Sequence, residues 1–434
     1  MELHPPLLQP FLLLLLLLPP TLPAVPETGG SWQCPRIPYA ASRDFAVEYS
    51  VPSFSAGSPV QAVATYEGGR EGSAVFVATR NRLHVLGPDL QPVESLATGP
   101  VGDPGCQTCE ACGPGPHGPP GDTDAQVLVL EPALPALISC GSSLRGRCFL
   151  HELEPGGTAL HLAPPVCLFS EHNRPEDCPD CVASPLGTLV TVVEQGQASY
   201  LYVASSLDSA VAASFSPLSV SIRRLKADGS GFAAGFAALS VLPEHLDSYR
   251  IEYVYSFHTG AFVYFLMVQP TDVAAAPGAL HTRLARLSAV ETDLGDYREL
   301  VLDCHFAPKR RRRAAHEGGQ PYPVLRAAHA APVGGHLAAE LSIPEGQEVL
   351  FGVFSASKDS RPGADPNSVV CAFPVHLLDT LIEQGVERCC DLPVPPGLRR
   401  GLDFFQLPSF CPDAVSRRKQ LSLVSSVCSL PIHS

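Results

Sequence analysis

Short apolar runs, each bounded by turn residues, recur along this chain of 434 residues and constrain its fold more than any other feature. The runs are four to seven residues long and are bounded by Gly, Pro, Ser or Asp, so each predicts one β-strand. We place strands at 127–130, 189–193, 200–204, 251–255, 262–268 and 349–354. The connecting segments are mostly too short or too polar for crossover helices, which favours antiparallel sheets and an all-β fold.

One hairpin and one helix can be located more closely. Residues 74–78 and 83–86 predict two strands joined by a turn at Arg80 and Asn81. Residues 376–388 predict a helix whose apolar side chains share one face. That face comprises Leu377, Leu378, Leu381, Ile382 and Val386. No repeat of fixed period is evident in the sequence.

The N-terminus predicts secretion. Residues 11–18 form an unbroken apolar run that Pro19 and Pro20 end, so residues 1–30 are typical of a signal peptide cleaved between residues 24 and 30. The run is well below the roughly 20 residues that a bilayer requires, so we expect no direct membrane insertion. The formal net charge of −14 argues against nucleic acid as a partner.

Fifteen cysteines, many in close pairs, suit an oxidising compartment. Cys106, Cys109 and Cys112 form a CxxCxxC pattern, and Cys178 and Cys181 form a CxxC pair. A zinc site and a thioredoxin-type redox site are the alternatives, but the two motifs lie too far apart for a zinc ribbon. We therefore expect structural disulfides and no metal. The odd number implies an unpaired thiol or a bond to another chain.

The basic run at residues 309–313 predicts an exposed loop, because five consecutive cations repel one another and cannot be buried. Arg310, Arg312 and Arg313 match the pattern that proprotein convertases of the secretory route cut, here after Arg313. A nuclear-localisation signal and a heparin-binding patch are the alternatives. The predicted signal peptide favours processing.

Seven segments resemble the sema domain of the hepatocyte-growth-factor-receptor family. They are residues 106–112, 138–142, 178–182, 221–226, 262–266, 350–354 and 371–374. The resemblance runs from about Trp32 to Cys411 and implies a sema-type β-propeller with seven blades of four antiparallel strands. It also implies that the chain, once cut after Arg313, stays joined by disulfides. The implied pairs are Cys106–Cys109, Cys112–Cys167, Cys140–Cys148, Cys178–Cys181, Cys304–Cys371 and Cys389–Cys411.

The resemblance further implies a protein ligand, a protease-like growth factor of the macrophage-stimulating-protein type, that docks on loops of the second and third blades. The matching positions are Glu194, Gln195, Gln197, Ser199, Arg223, Arg224, Lys226 and Asp228. Arginine suits such a site because its planar fork pairs with carboxylates. Side chains of adjacent strand residues point to opposite faces, so at most one of Arg223 and Arg224 faces the ligand. Alternatively, both lie at a solvated strand end.

The chain departs from the family after residue 411. We expect an incomplete sema domain at 31–411, lacking about two C-terminal blades, and a divergent, disordered tail at 412–434. No Gly-rich phosphate loop or kinase catalytic loop occurs, and the scattered His and carboxylate residues match no catalytic pattern. We therefore expect no enzyme activity and no cofactor.

The expected function is that of a ligand-binding ectodomain of a growth-factor receptor. The chain would be a soluble decoy, able to associate with ligand or with the full-length receptor, or a non-productive form retained in the secretory pathway. A semaphorin-like or plexin-like guidance protein is the alternative, because those proteins share the sema propeller.

Overall fold

Antiparallel sheets follow one another along the chain, and their strands pair in sequence order except for the short last strand of the second sheet, which pairs with the strand two before it. The computed structural model describes residues 52–68, 72–112, 121–131, 133–143, 146–156, 159–168, 180–196, 198–215, 218–233, 235–271, 280–306, 320–356 and 367–391. These residues form three four-stranded sheets, one five-stranded sheet, one three-stranded sheet and a two-stranded ribbon. The predicted all-β, antiparallel fold is confirmed.

The strand bounds are as follows. The first sheet contains β1 Val60–Glu67, β2 Ser73–Thr79, β3 Arg82–Leu86 and β4 Pro92–Ala97. The second contains β5 Ala125–Glu131, β6 Ala136–Gly141, β7 Cys148–Gly156, β8 Ala159–Leu162 and β9 Val166–Cys167. The third contains β10 Thr188–Gln195, β11 Ala198–Ser205, β12 Leu218–Arg224 and β13 Ala237–Ser240.

The fourth sheet contains β14 Glu252–Thr259, β15 Phe262–Pro270, β16 Leu280–Ser288 and β17 Arg298–Leu302. The ribbon pairs β18 His305–Phe306 with β19 Gln320–Pro321. The fifth sheet contains β20 Val324–Pro332, β21 Glu348–Ser355 and β22 Ser368–Pro374. The helices are α1 Gln107–Ala111, α2 Ser209–Ser214, α3 Gly335–Leu341 and α4 Val375–Asp391, with a 3₁₀ turn at Pro243–His245.

The sheets are structural repeats of one another. Their first strands begin at residues 60, 125, 188, 252 and 324 and pack side by side in that order, β1 on β5, β5 on β10, β10 on β14 and β14 on β20. The sequence shows no fixed period, because the repeated feature is the order of strands and turns rather than particular residues. This arrangement of consecutive meanders, joined through their first strands, is that of propeller blades.

A separate apolar core fills each space between neighbouring sheets. The side chains of β15 show how one strand supplies two cores, since Phe265 and Met267 lie in the core toward the third sheet. Tyr264 and Leu266 lie in the core toward the fifth sheet. All four are at most 1% exposed. A strand buried on both faces needs apolar residues at every position, which explains the unbroken apolar run at 262–268.

The predicted strands and helix are present, with one correction. Each of the six predicted runs coincides with a strand, although β14 begins at Glu252 and leaves Ile251 in an isolated bridge, and the hairpin at 74–86 and the predicted helix, α4, are also present. However, Leu377 is 45% exposed, whereas Leu378 and Ile382 are at most 1% exposed. Successive helical residues are about 100° apart, so a buried line through Leu378 and Ile382 turns Leu377 toward solvent. The side chain of Val386 lies outside the described part.

Four disulfides join described cysteines, and they are pairs that the family resemblance implies. They are Cys106–Cys109, Cys112–Cys167, Cys140–Cys148 and Cys304–Cys371. Cys181 is disulfide-bonded. Its predicted partner Cys178, and both side chains of the predicted Cys389–Cys411 pair, lie outside what the structure describes.

The turn between β2 and β3 ties the first sheet to the second. Asn81 adopts a left-handed backbone conformation with φ of 63°. Its amide oxygen accepts a hydrogen bond from the backbone N–H of Thr123 (2.7 Å), and its amide nitrogen donates to the carboxylate of Asp122 (2.7 Å). Asparagine combines tolerance of this backbone region with a side chain that bonds locally.

Asn81→Ala should therefore lower the free energy of unfolding by about 2–4 kcal/mol, because two hydrogen bonds are lost and alanine disfavours the left-handed region. The midpoint of denaturant unfolding is the measurement. Arg80→Ala is the matched control at the neighbouring position. Its side chain is 54% exposed and pairs with Asp124, so a much smaller change is expected. Equal effects of the two substitutions would contradict the role assigned to Asn81.

Candidate protein-binding surface

The strand order determines which turns share a face of the molecule. In a meander of four antiparallel strands, the turns after the first and third strands lie at one end, and the turn after the second strand lies at the other. We call these ends the upper face and the lower face. The predicted ligand positions at 194–199 lie around the turn after β10, the first strand of the third sheet, and positions 223–228 lie at the end of β12, its third strand, and in the turn after it. Both groups therefore lie on the upper face of one sheet.

The first group forms a tight hairpin. Glu194 pairs with Ser199, and Gln195 pairs with Ala198, so most of the predicted loop belongs to strands β10 and β11. Gly196 turns the chain with φ of 64°, a conformation that glycine adopts at no steric cost. Gln197, a predicted ligand contact, lies outside the described residues.

Two of the predicted contacts hold this hairpin to its neighbours. The hydroxyl of Ser199 is buried (5% exposed) and donates to the carboxylate of Glu131, at the end of β5 in the second sheet. The side-chain amide of Gln195 donates to the backbone carbonyl of Ala289, which follows β16 in the fourth sheet. The hairpin is therefore fixed from both sides.

Arg223 and Arg224 lie in opposite environments, as strand alternation predicts. Arg223 is 2% exposed. Its Nε donates to the hydroxyl of Ser221 and its Nη2 to the carbonyl of Cys181, both at 3.1 Å, and its guanidinium carbon lies 4.4 Å from the ring centroid of Phe236. Burial lowers the pKa of Arg223 to about 10, which still leaves it charged at neutral pH. Arg224 is exposed.

The turn that follows β12 is also well defined. The carboxylate of Asp228 accepts hydrogen bonds from the backbone N–H (3.0 Å) and the hydroxyl (2.8 Å) of Ser230, and these bonds lower the pKa of Asp228. The N–H of Gly229 donates to the carbonyl of Lys226 (2.9 Å), and the N–H of Lys226 donates to the carbonyl of Gly231 (2.9 Å). The side chains of Lys226 and Asp228 remain exposed.

The upper face of the third sheet therefore presents four exposed charged side chains, Glu194, Arg224, Lys226 and Asp228. We call this set the charged surface. Tyr200 pairs with Val193 in β10 and with Arg224 in β12, so the backbones of Glu194 and Arg224 lie two strands apart, about 10 Å. Two anions and two cations on ordered turns suit a protein partner of mixed charge.

Sequence reasoning missed Glu131, which is 1% exposed and supports the charged surface from the neighbouring second sheet through Ser199. One signal could have found it. Glu131 directly follows the apolar run at 127–130, and a carboxylate at the end of a buried strand needs a hydrogen-bond donor from a neighbouring element. That donor is Ser199, which the sequence placed among the ligand contacts instead.

The remaining predicted features lie elsewhere. The basic run at 309–313 is outside the described residues, and the flanking β18 and β19 pair at the lower face, where β17 ends.

No cluster of three or more potential metal ligands occurs within the described ranges. No helix of the described residues combines the length and hydropathy that crossing a membrane requires.

Comparison with known proteins identifies the fold. Residues 325–432 match the Sema domain family. Because residues 392–434 are not described, the domain boundary expected at residue 411 stays a prediction. The structure is similar to that of the plexin A4 extracellular region, domains 1 to 8, with a TM-score of 0.58 and 22% identity. A structure of plexin A4 domains 1 to 10 gives the same TM-score and identity.

These alignments cover 76% of this chain and 32% or 28% of the plexin chains, so the chain spans about a third of the length of those proteins or less. The consecutive four-stranded meanders, the cores between sheets and the disulfides agree with this similarity. The chain has the fold of a sema-type β-propeller, and its residues 325–432 carry the match to the Sema family.

Proposed function

We propose that this chain is an extracellular protein-recognition module whose charged surface binds a protein ligand. The observation that carries the proposal is that some predicted contacts are hydrogen-bonded within the protein while their neighbours are exposed to solvent. Gln195, Ser199 and Arg223 are bonded within the protein, whereas Glu194 in β10 and Arg224 in β12 project into solvent. Charged groups on a rigid scaffold lose little conformational freedom on binding, which favours affinity and specificity.

The ligand that we propose is a protease-like growth factor of the macrophage-stimulating-protein type, and the chain would be the ligand-binding part of its receptor. The motif resemblance at residues 106–112, 178–182 and 221–226 supports this assignment. In solution, this chain would act as a decoy that competes with the full-length receptor for the ligand. We propose no catalytic activity for it.

A semaphorin-like or plexin-like guidance function is the second candidate, supported by the fold that the chain shares with plexin A4. Binding assays with both partner classes, the growth factor and a semaphorin, separate the two. Binding of a semaphorin alone would favour the guidance function.

Arg224→Glu should weaken binding of the protease-like growth factor by about 2–5 kcal/mol, because a charged anchor is removed and its sign reversed. Surface plasmon resonance on folded protein is the measurement. Arg82→Glu is the matched control, since Arg82 is also exposed at a strand end but lies on the lower face. Unchanged affinity of Arg224→Glu would place the ligand on another part of the propeller.

A further inference from the structure

The fifth sheet and α4 lie against the fourth sheet, and the chain segments on the two sides of this interface are separated by the basic run. The segment before the run ends with β18, and the segment after it begins with β19. The disulfide Cys304–Cys371 joins the two segments covalently. The interface also holds extensive contacts that do not depend on this bond.

The core between the fourth and fifth sheets draws side chains from both segments. The segment before the run supplies Tyr264, Leu266, Leu284, Leu300 and Leu302. The segment after it supplies Leu325, Leu350, Phe354, Phe373, Leu378 and Ile382. All of these side chains are at most 3% exposed. Separating the segments would therefore expose a continuous apolar surface on each, which strongly favours association.

Backbone groups of β20 bond to side chains of the fourth sheet. The hydroxyl of Thr282 donates to the carbonyl of Pro323 (2.8 Å) and accepts from the N–H of Leu325 (3.0 Å). The hydroxyl of Tyr255 accepts from the N–H of Ala330 (3.1 Å). These bonds fix the register of β20 on the fourth sheet.

An ion-pair cluster joins β16 to α4. The side chain of Arg286 is 5% exposed, and its guanidinium carbon lies 4.1 Å from the ring centroid of Phe262. Its Nη1 donates to the carboxylate of Asp379 (3.0 Å), and its Nη2 donates to that of Glu383. The hydroxyl of Tyr264 also donates to Asp379 (2.9 Å). A buried cation thus bonds to two carboxylates of the other segment.

We infer that the segment after the basic run is a noncovalent partner of the rest of the chain. It stays bound in its native position after the backbone is cut anywhere within 307–319 and the Cys304–Cys371 disulfide is removed. The inference needs no particular protease. It also implies that a cut between β18 and β19 leaves the charged surface of the third sheet unchanged, so processing does not switch that surface on or off.

The test uses the full chain with residues 309–313 replaced by the recognition sequence of a site-specific protease. Cys304→Ala and Cys371→Ala remove the disulfide that, among the described cysteines, bridges the cut, and they leave the other described disulfides in place. After digestion, a denaturing gel should show two bands. A native size-exclusion column should show one peak at the elution volume of the uncut protein. Two separate peaks would overturn the inference.

Two further measurements keep the test decisive. If the double variant is not secreted, protein that retains both cysteines is cut, treated with mild reductant and run on the same column. Elution of the two segments as separate peaks would again overturn the inference. The melting temperature should depend on protein concentration only after the cut and loss of the disulfide, as mass action requires for two associated chains.

Arg286→Ala probes the ion-pair cluster in the cut protein that lacks the disulfide. The dissociation constant should rise about 30-fold or more, which corresponds to about 2 kcal/mol. Arg250→Ala is the matched control, because Arg250 forms an exposed pair with Glu252 at 3.7 Å, within the segment before the run. Equal dissociation constants for the two variants would remove Arg286 from the interface.

Discussion

Arg223→Glu is expected to lower the free energy of unfolding by about 3–5 kcal/mol, whereas Arg224→Glu should change it by no more than about 0.5 kcal/mol. The two residues are adjacent in β12, but Arg223 is 2% exposed and Arg224 is exposed. A carboxylate at position 223 would face the carbonyl of Cys181, which now accepts a hydrogen bond from Arg223 (3.1 Å). The carboxylate of Asp180, which attracts the cation of Arg223, would also repel the new negative charge.

The measurement is chemical denaturation of both variants beside the wild type. Arg223→Leu distinguishes the stability lost by removing the positive charge from the stability lost by introducing a negative one. It removes the hydrogen bonds without introducing a buried anion, so a smaller loss of about 1–3 kcal/mol is expected. Equal stability of Arg223→Glu and Arg224→Glu would show that Arg223 can reach solvent. Both arginines would then be candidates for ligand contact.

Glu299→Gln is expected to lower the free energy of unfolding by about 3–5 kcal/mol, because it leaves the charge of Arg283 buried without its counter-ion. The Nη1 of Arg283 donates to Glu299 at 2.7 Å, and the side chains of Arg283 and Glu299 are 7% and 1% exposed. The other oxygen of Glu299 accepts from the hydroxyl of Tyr297 (2.8 Å), in the core between the third and fourth sheets.

The exposed pair Arg250–Glu252 is the matched control, since its side chains are 51% and 50% exposed. Glu252→Gln should change stability by about 0–1 kcal/mol. Burial raises the pKa of Glu299, and this desolvation outweighs the attraction of Arg283. Replacing both members by apolar residues, Arg283→Met with Glu299→Leu, should therefore cost less than Glu299→Gln alone. A larger loss in the double variant would contradict this account.

The sequence predicted the strands well because each is a compact, local signal. The run at 262–268 becomes β15, and the turn at Arg80 and Asn81 closes the hairpin of β2 and β3. The helix α4 was predicted from its periodicity, yet Leu377 was assigned to its buried side. Periodicity shows which helical residues share an apolar face, but only the packing of the helix on the neighbouring sheet determines which of them are buried.

The sequence located the segments of the candidate surface, but it did not show which of their side chains are exposed and which are bonded within the protein. Motif resemblance located the two segments of the third sheet, and both lie on one face. It did not distinguish Ser199, which bonds to Glu131, from Glu194, which is exposed beside it. That distinction depends on a carboxylate 68 residues away in the chain.

The sequence by itself determined the secondary structure, the antiparallel class and the cysteines that lie close in the chain, because these follow from local composition and short spacings. Only the tertiary structure decided which side chains are buried, how the sheets repeat and which charges pair. The physical reason is that a strand such as β15 is apolar on both faces, so its sequence does not indicate which side chain faces which neighbouring sheet. Arg223 and Arg286 are buried against other parts of the fold, and their hydrogen-bond partners Cys181 and Asp379 lie 42 and 93 residues away in the chain.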